Sequence, residues 1–238
     1  DLGAISGSAY VFERDASGLW TQTAKLVASD GDMEDGFGVS AALFGDRALL
    51  GASGDEDQGE SAGSAYLFER EDDGDWIQVQ KLLALDGATF DVFGAAVSLV
   101  GNRAVVGAYG DDDLGDGSGS AYVFERNSNG QWVETAKLLA SDGTEGDLFG
   151  SVSICGDRAV IGARRAEISG ASSGSTYVFE LKRSGAWSET SALHPSDGAL
   201  DDHFGSAASV LGDRALVGAR LEDHGGAGDQ GAAYVFAL

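Results

Sequence analysis

Short apolar runs alternate with Gly- and Asp-rich breaks along the whole chain, and no segment has the 3.6-residue period of a helix. Between Phe37 and Ala84 the pattern predicts four strands. The run from Phe37 to Leu43 meets the run from Arg47 to Ala52 across Gly45-Asp46, which predicts a hairpin. Gly at the first central position of a two-residue loop suits a type II′ turn, and Gly101-Asn102, Gly156-Asp157 and Gly212-Asp213 stand at the same place further along. A third strand, Gly63 to Glu69, follows a Gly- and Asp-rich loop. After the turn Asp72 to Asp75, the fourth strand, Trp76 to Leu82, carries more polar residues and is predicted to be the most exposed. The first two strands are apolar at almost every position, so both of their faces are predicted to be covered.

This unit recurs. The tyrosine of Gly-Ser-Ala-Tyr-Val-Phe, or a close variant, stands at Tyr10, Tyr66, Tyr122, Tyr177 and Tyr234, in steps of 56, 56, 55 and 57 residues. Between these markers come a tryptophan (Trp20, Trp76, Trp132, Trp187), a Phe-Gly pair (from Phe37, Phe93, Phe149, Phe204) and a Gly-Ala pair (from Gly51, Gly107, Gly162, Gly218). Each such unit can bury its apolar faces only against its neighbours. Four-stranded antiparallel sheets arranged radially meet that need, with the small residues of the second strand near the axis and the tryptophan at the rim. The predicted fold is therefore an all-β propeller with about four blades in this chain. Two packed sandwiches would give no reason for four equal units, and linear solenoids have shorter repeats. The repeats run approximately over 37–84, 93–140, 149–195 and 204–238, the last completed by 8–28, in a single domain spanning 1–238.

Charge narrows the partners. With 15 Lys plus Arg against 39 Asp plus Glu, the net charge of -24 repels phosphate backbones and anionic membranes, which argues against nucleic acid as a partner. The apolar runs fall short of the ~20 residues of a membrane-spanning helix, and the sequence opens at Asp1 without a basic and apolar leader, which is expected either to have been removed or never to have existed. The one cysteine, Cys155, lies in an apolar run and is expected to be a buried thiol.

With Phe-Gly at the first strand and Gly-Ala at the second, the unit resembles the FG-GAP repeat, the blade of the integrin α-subunit propeller and its bacterial relatives. The Asp-Gly-x-x-x-Asp-x-Phe-Gly lead-in and the Gly-Ser-Ala-Tyr-Val-Phe strand are similar to bacterial secreted proteins of that type. The resemblance covers nearly the whole chain. It implies a β-propeller, often calcium-bound, that serves adhesion or ligand recognition outside the cell or on its surface and seldom acts as an enzyme. Two departures matter. The family's Asp-x-Asp-x-Asp-Gly calcium loop between strands one and two is replaced by Gly-Asp-Arg or Gly-Asn-Arg, so that site does not carry over. The proline after Gly-Ala is replaced by Ser53, Tyr109, Arg164 and Arg220. Integrin-like propellers have seven blades, which leaves three readings here: a closed four-bladed ring, a segment of a larger propeller, or a swapped or dimeric ring. Both 8–13 and 232–238 read as third strands, so the terminal strands are also candidates for homo-oligomer contacts.

The segments between strands two and three carry the candidate chemistry. Asp55 and Asp57 in one copy, and Asp111, Asp113 and Asp116 in the next, are closely spaced carboxylates on Gly-bearing loops, a pattern that supplies oxygen ligands for Ca2+. The lead-in aspartates (Asp30 and Asp35, Asp86 and Asp91, Asp142 and Asp147, Asp197 and Asp202) recur in every copy, as scaffolding that caps turn amides would. Arg47, Arg103, Arg158 and Arg214 are expected to pair with neighbouring carboxylates. His194, His203 and His224 have no metal-ligand spacing and read as surface histidines. Tyr109, Arg164, Arg165 and Arg220 bring different chemistry to equivalent places and are the candidate ligand contacts. The leading expectation is a non-enzymatic extracellular recognition module for a carbohydrate or protein ligand. A structural repeat that assembles through its terminal strands, and a polysaccharide hydrolase or lyase using paired carboxylates, are the alternatives.

Overall fold

The Gly45-Asp46 pair turns the chain as predicted: in β3 (Ser40–Phe44) and β4 (Arg47–Ala52), Phe44 lies opposite Arg47 with two residues between them. Gly45 has φ +57° and Asp46 stays outside the positive-φ region, as a type II′ turn requires. β5 (Ser64–Arg70) and β6 (Trp76–Leu82) continue the sheet in the order β3-β4-β5-β6, all antiparallel. This computed structural model describes residues 4–167, 172–223, 228 and 230–238.

Two more sheets repeat the blade. One holds β7 (Ala96–Val100), β8 (Arg103–Ala108), β9 (Ser120–Arg126) and β10 (Trp132–Leu138); the other holds β11 (Phe149–Cys155), β12 (Arg158–Ala163), β13 (Ser175–Leu181) and β14 (Trp187–Leu193). A two-stranded sheet, β1 (Ala9–Arg14) with β2 (Trp20–Leu26), precedes these blades, and a three-stranded sheet follows them: β15 (Phe204–Leu211), β16 (Arg214–Ala219) and β17 (Ala232–Ala237). The fold is all-β, with antiparallel blades stacked in series as in a propeller. The segment 8–28, expected to complete the last sheet, instead forms its own sheet by pairing β1 with β2, and among the described residues no strand pairs with the outer edge of β17. The reason is local: a short turn joins β1 to β2, so they pair with each other, and they pack on the first complete blade through Leu26, Ala28, Val11 and Ala24.

Burial follows the prediction in part. The second strands of the complete blades are buried at nearly every position, as predicted, and so are the third strands, whereas β6 alternates between exposed and half-buried residues. The first strands, predicted to be covered on both faces, are not: β3 is half-buried or exposed throughout and β7 buries only Leu99, because each lies at the edge of its sheet. Apolar clusters join each sheet to the next. Leu49 and Leu67 of one blade, for example, pack with Phe93 and Tyr122 of its successor. Within each blade the Phe of the Phe-Gly pair meets the tyrosine of the third strand edge-on, with ring centroids 5.4 Å apart for Phe37 and Tyr66 and for Phe93 and Tyr122. Such pairs add about 0.5–1.5 kcal/mol beyond the area they bury.

The two glycines of the repeat meet between blades. A Cβ on Gly107, in β8, would collide with the carbonyl oxygen of Gly150 in the next blade, and Gly51 and Gly162 stand in the same relation to Gly94 and Gly205. Backbones therefore approach at the inner strands to a distance that excludes any side chain.

Candidate functional site

The two ends of each blade differ in chemistry. At one end, the turns between strands one and two lie beside the third strand's arginine and glutamate pairs. Arg47, Arg103 and Arg158 bind Glu69, Glu125 and Glu180 of their own blades at 2.8–2.9 Å. Each also donates to a carbonyl of the following unit, as Arg47 Nη1 does to Gly101 O at 3.1 Å. Three of the four recurring arginines thus pair with carboxylates as expected, and through the carbonyl bonds they also link blades. Arg214 differs because the residue opposite it is Ala237 in place of a glutamate, and it is left exposed, 4.0 Å from Asp213.

At the other end, the segments after the second strand meet the lead-in loops. The second aspartate of each lead-in caps a backbone amide three residues earlier: Asp35, Asp91, Asp147 and Asp202 accept from the N–H groups of Asp32, Ala88, Thr144 and Ala199 at 2.6–2.8 Å. The first aspartate takes the tyrosine hydroxyl of its own blade. Tyr122 donates to Asp86 at 2.9 Å, Tyr177 to Asp142 at 2.7 Å and Tyr234 to Asp197 at 2.9 Å. The scaffolding role expected of these residues is their observed one.

Four of the five carboxylates expected to hold calcium surround a lysine. Lys81 Nζ lies 2.8 Å from Asp55, 2.7 Å from Asp57 and 3.0 Å from Asp30. Lys137 Nζ lies 2.8 Å from Asp111, 2.7 Å from Asp113 and 2.8 Å from Asp86. Each ammonium also sits over a tyrosine ring, 5.3 Å from the centroid of Tyr66 and 5.0 Å from that of Tyr122. Burial disfavours the charge on each lysine, but the hydrogen bonds to the aspartates outweigh it and hold both well above the usual lysine range. Asp111 is pushed up by burial and pulled down more strongly by Lys137, Ser120 and Tyr122. Asp116 stands apart from the lysine and is exposed, with its backbone carbonyl accepting from Gly146. Tested as a calcium site, the donor set fits poorly, because a monovalent cation already occupies the point where its oxygens converge. The two lysines were missed in the sequence, although a signal was there: Lys-Leu closes the tryptophan strand in both copies with acidic loops and also in β2, as Lys25-Leu26, while Ala192 stands in place of the lysine in the third complete blade.

The candidate ligand residues lie at this same end. Tyr109, Arg164 and Arg220 directly follow β8, β12 and β16. The Arg164 guanidinium stacks on the Tyr109 ring of the preceding blade at 4.9 Å. Arg220 donates to His203 Nδ1 at 3.1–3.2 Å. Burial lowers the Arg164 pKa, and Arg220 and Arg165 lower it further, so the three guanidinium groups act on one another. His203 was expected at the surface and is 7% exposed. Its place before the buried Phe204, at φ +57°, turns it inward. Burial and the same three arginines hold it below the usual histidine range, which keeps it neutral. His194 is exposed as expected, His224 lies outside the described residues, and Cys155 is half-buried against the last sheet.

Phe-Gly and Gly-Ala pairs in register, each with an observed contact, match the FG-GAP repeat over residues 20–68, 76–124, 132–179 and 187–236. The chain belongs to the FG-GAP repeat family. No curated protein matches it. In this FG-GAP protein the repeat boundaries fall before the tryptophan strand, so each repeat spans the fourth strand of one sheet and the first three of the next. Among the described residues no helix is long and apolar enough to cross a membrane.

Proposed function

We propose that this FG-GAP protein is a non-enzymatic recognition module, acting outside the cell or on its surface, whose lead-in end captures an acidic group of a carbohydrate or protein ligand. The observation that carries this reading is the group formed by Arg164, Arg165 and Arg220. The chain has 39 acidic residues, and most of its cations are paired with them. These three arginines form no ion pair among the described residues, yet their charges converge on one another and on His203. Gathering like charges without counterions is unfavourable, and an oxyanion held by two guanidinium groups relieves it through paired N–H···O bonds. Tyr109, beneath Arg164, supplies a flat face beside them. Against an enzymatic reading stands the way the carboxylates gather: in the two blades with acidic loops they form equivalent nodes, each closed by a lysine.

An array of uronic-acid and sulfated oligosaccharides, neutral counterparts and acidic peptides tests the proposal. Binding is expected for acidic probes only, and it weakens at least about tenfold, or 1.4 kcal/mol, in Arg164→Gln/Arg220→Gln. A blank array for the wild type, or equal binding by the double variant, overturns it.

A further inference from the structure

We propose that Lys81 and Lys137 are built-in cations: each ammonium takes the place that a divalent ion would hold in an acidic loop of this face, so these loops are ordered without metal. Three observations converge. The first is geometric. Each Nζ lies within 3.0 Å of three carboxylates drawn from two separate segments, the loop after the second strand and the preceding lead-in. A cation at that point ties the two segments together, as a bound ion does in a calcium loop.

The second is a comparison internal to the chain. The residue opposite the tyrosine is Lys25 opposite Tyr10, Lys81 opposite Tyr66 and Lys137 opposite Tyr122, but Ala192 opposite Tyr177; the last three copies contain the loop position as well and can be compared for acid and base together. The buried loop aspartate is Asp55 in the first of these copies and Asp111 in the second, and at the same offset in the third stands Ala166. Acid and base are absent together, and both places are filled by alanine. A structural lysine that merely packed on the tyrosine would be kept wherever the tyrosine is kept. One that exists to neutralise the buried acid is lost with it.

The third is the case of an acid without its lysine. At the same position in the last sheet, Glu222 is 5% exposed, and its Oε2 has no hydrogen-bond partner among the described residues. Among the described residues no strand pairs with β17 on its outer side to bring a cation there. The buried carboxylate is thus satisfied where the lysine is present, absent where the lysine is absent, and left with an orphaned oxygen where the strand itself is lacking.

Removing the lysine while keeping the acids should convert the node into a metal site. Asp30, Asp55 and Asp57 border a cleft of about 460 Å³ that also takes in Asp32, Glu34 and Glu56, so an ion can reach them from solvent. The test compares wild type, Lys81→Ala and Lys81→Ala/Asp55→Ala by titration calorimetry with calcium chloride and by thermal melting with and without chelator. The wild type is expected to give no binding heat attributable to this node and the same melting temperature with calcium as with chelator. Lys81→Ala melts lower in chelator, binds calcium and recovers melting temperature on adding it. The double variant reproduces the alanine pair of the third copy; it recovers stability without calcium and binds none at this node. Should Lys81→Ala fail to fold in chelator, its folding in calcium and the behaviour of the double variant still decide the matter. A wild-type melting temperature that rises with calcium, with the rise abolished by Asp55→Asn, overturns the proposal. So does a Lys81→Ala variant indifferent to calcium, or a double variant no more stable than the single one.

Discussion

Asp91 is 4% exposed, and its carboxylate accepts the Ala88 amide at 2.7 Å. Burial pushes its pKa up to about 6; the Ala88 hydrogen bond counters this in part, and nearby Asp111 and Asp112 add to it. The folded protein therefore binds a proton here at a pH where the unfolded chain, titrating near 3.8, does not. Proton uptake at Asp91 favours the folded state as pH falls, is complete below the unfolded value, and is lost as pH rises through about 6. Asp86 and Asp111, held below the usual range mainly by Lys137 against the opposing effect of burial, act in the other sense, and their contribution disappears on stronger acidification. Carboxyl NMR should show Asp91 titrating near 6, and Asp91→Asn should remove its share of the stability change between neutral and mildly acidic pH. A midpoint near that of a free aspartate would contradict this. The acids of this face were legible in the sequence because they repeat, whereas the lysines that hold them were not. Lys137 is 26 residues from Asp111 and 51 from Asp86, and only the pairing of β9 with β10 brings them together.

At the level of strands, period and turn chemistry carried most of the information. Two-residue Gly turns, a buried second strand and a polar fourth strand appear where the pattern placed them, whereas the apolar first strand lies at the sheet edge and is only partly covered. The pattern placed the small residues of the second strand near the axis, but not the partner of the glycine of Gly-Ala, which lies in the adjacent blade. Gly107 does not have a positive φ, so its requirement is one of space, the carbonyl of Gly150 occupying the position of a Cβ. Gly218, the same residue of the last sheet, would place its Cβ no closer than 3.8 Å to any neighbour. Gly107→Ala is thus expected to destabilise by about 1–3 kcal/mol, the usual cost of overpacking, and Gly218→Ala to change little. Denaturant melts of the two variants make the comparison, and equal effects would show that the interblade contact is not what the glycine serves.

Across the whole molecule, the sheets form a series in which each rests on the next. No apolar cluster among the described residues joins the first sheet to the last, and Tyr10, Phe12, Leu216 and Val235 are exposed at the two ends. In such an array stability grows toward the middle, where every strand has a neighbour on both sides and a blade on both faces. Hydrogen exchange should be slowest in β8, β9, β12 and β13 and fastest in β1, β2 and β17; uniform protection would mean that the sheets unfold as one. The strand count within a unit was legible from the sequence, but the way the ends are arranged was not, because two segments competed for one place and local pairing decided between them. The glycine contact has a further consequence for how such a chain can change over time. Every unit carries both halves of the latch, the inner-strand glycine offered forward and the Phe-Gly glycine offered back. A duplication or loss of one whole unit joins halves that already match, so copy number can drift by recombination without a new interface having to evolve.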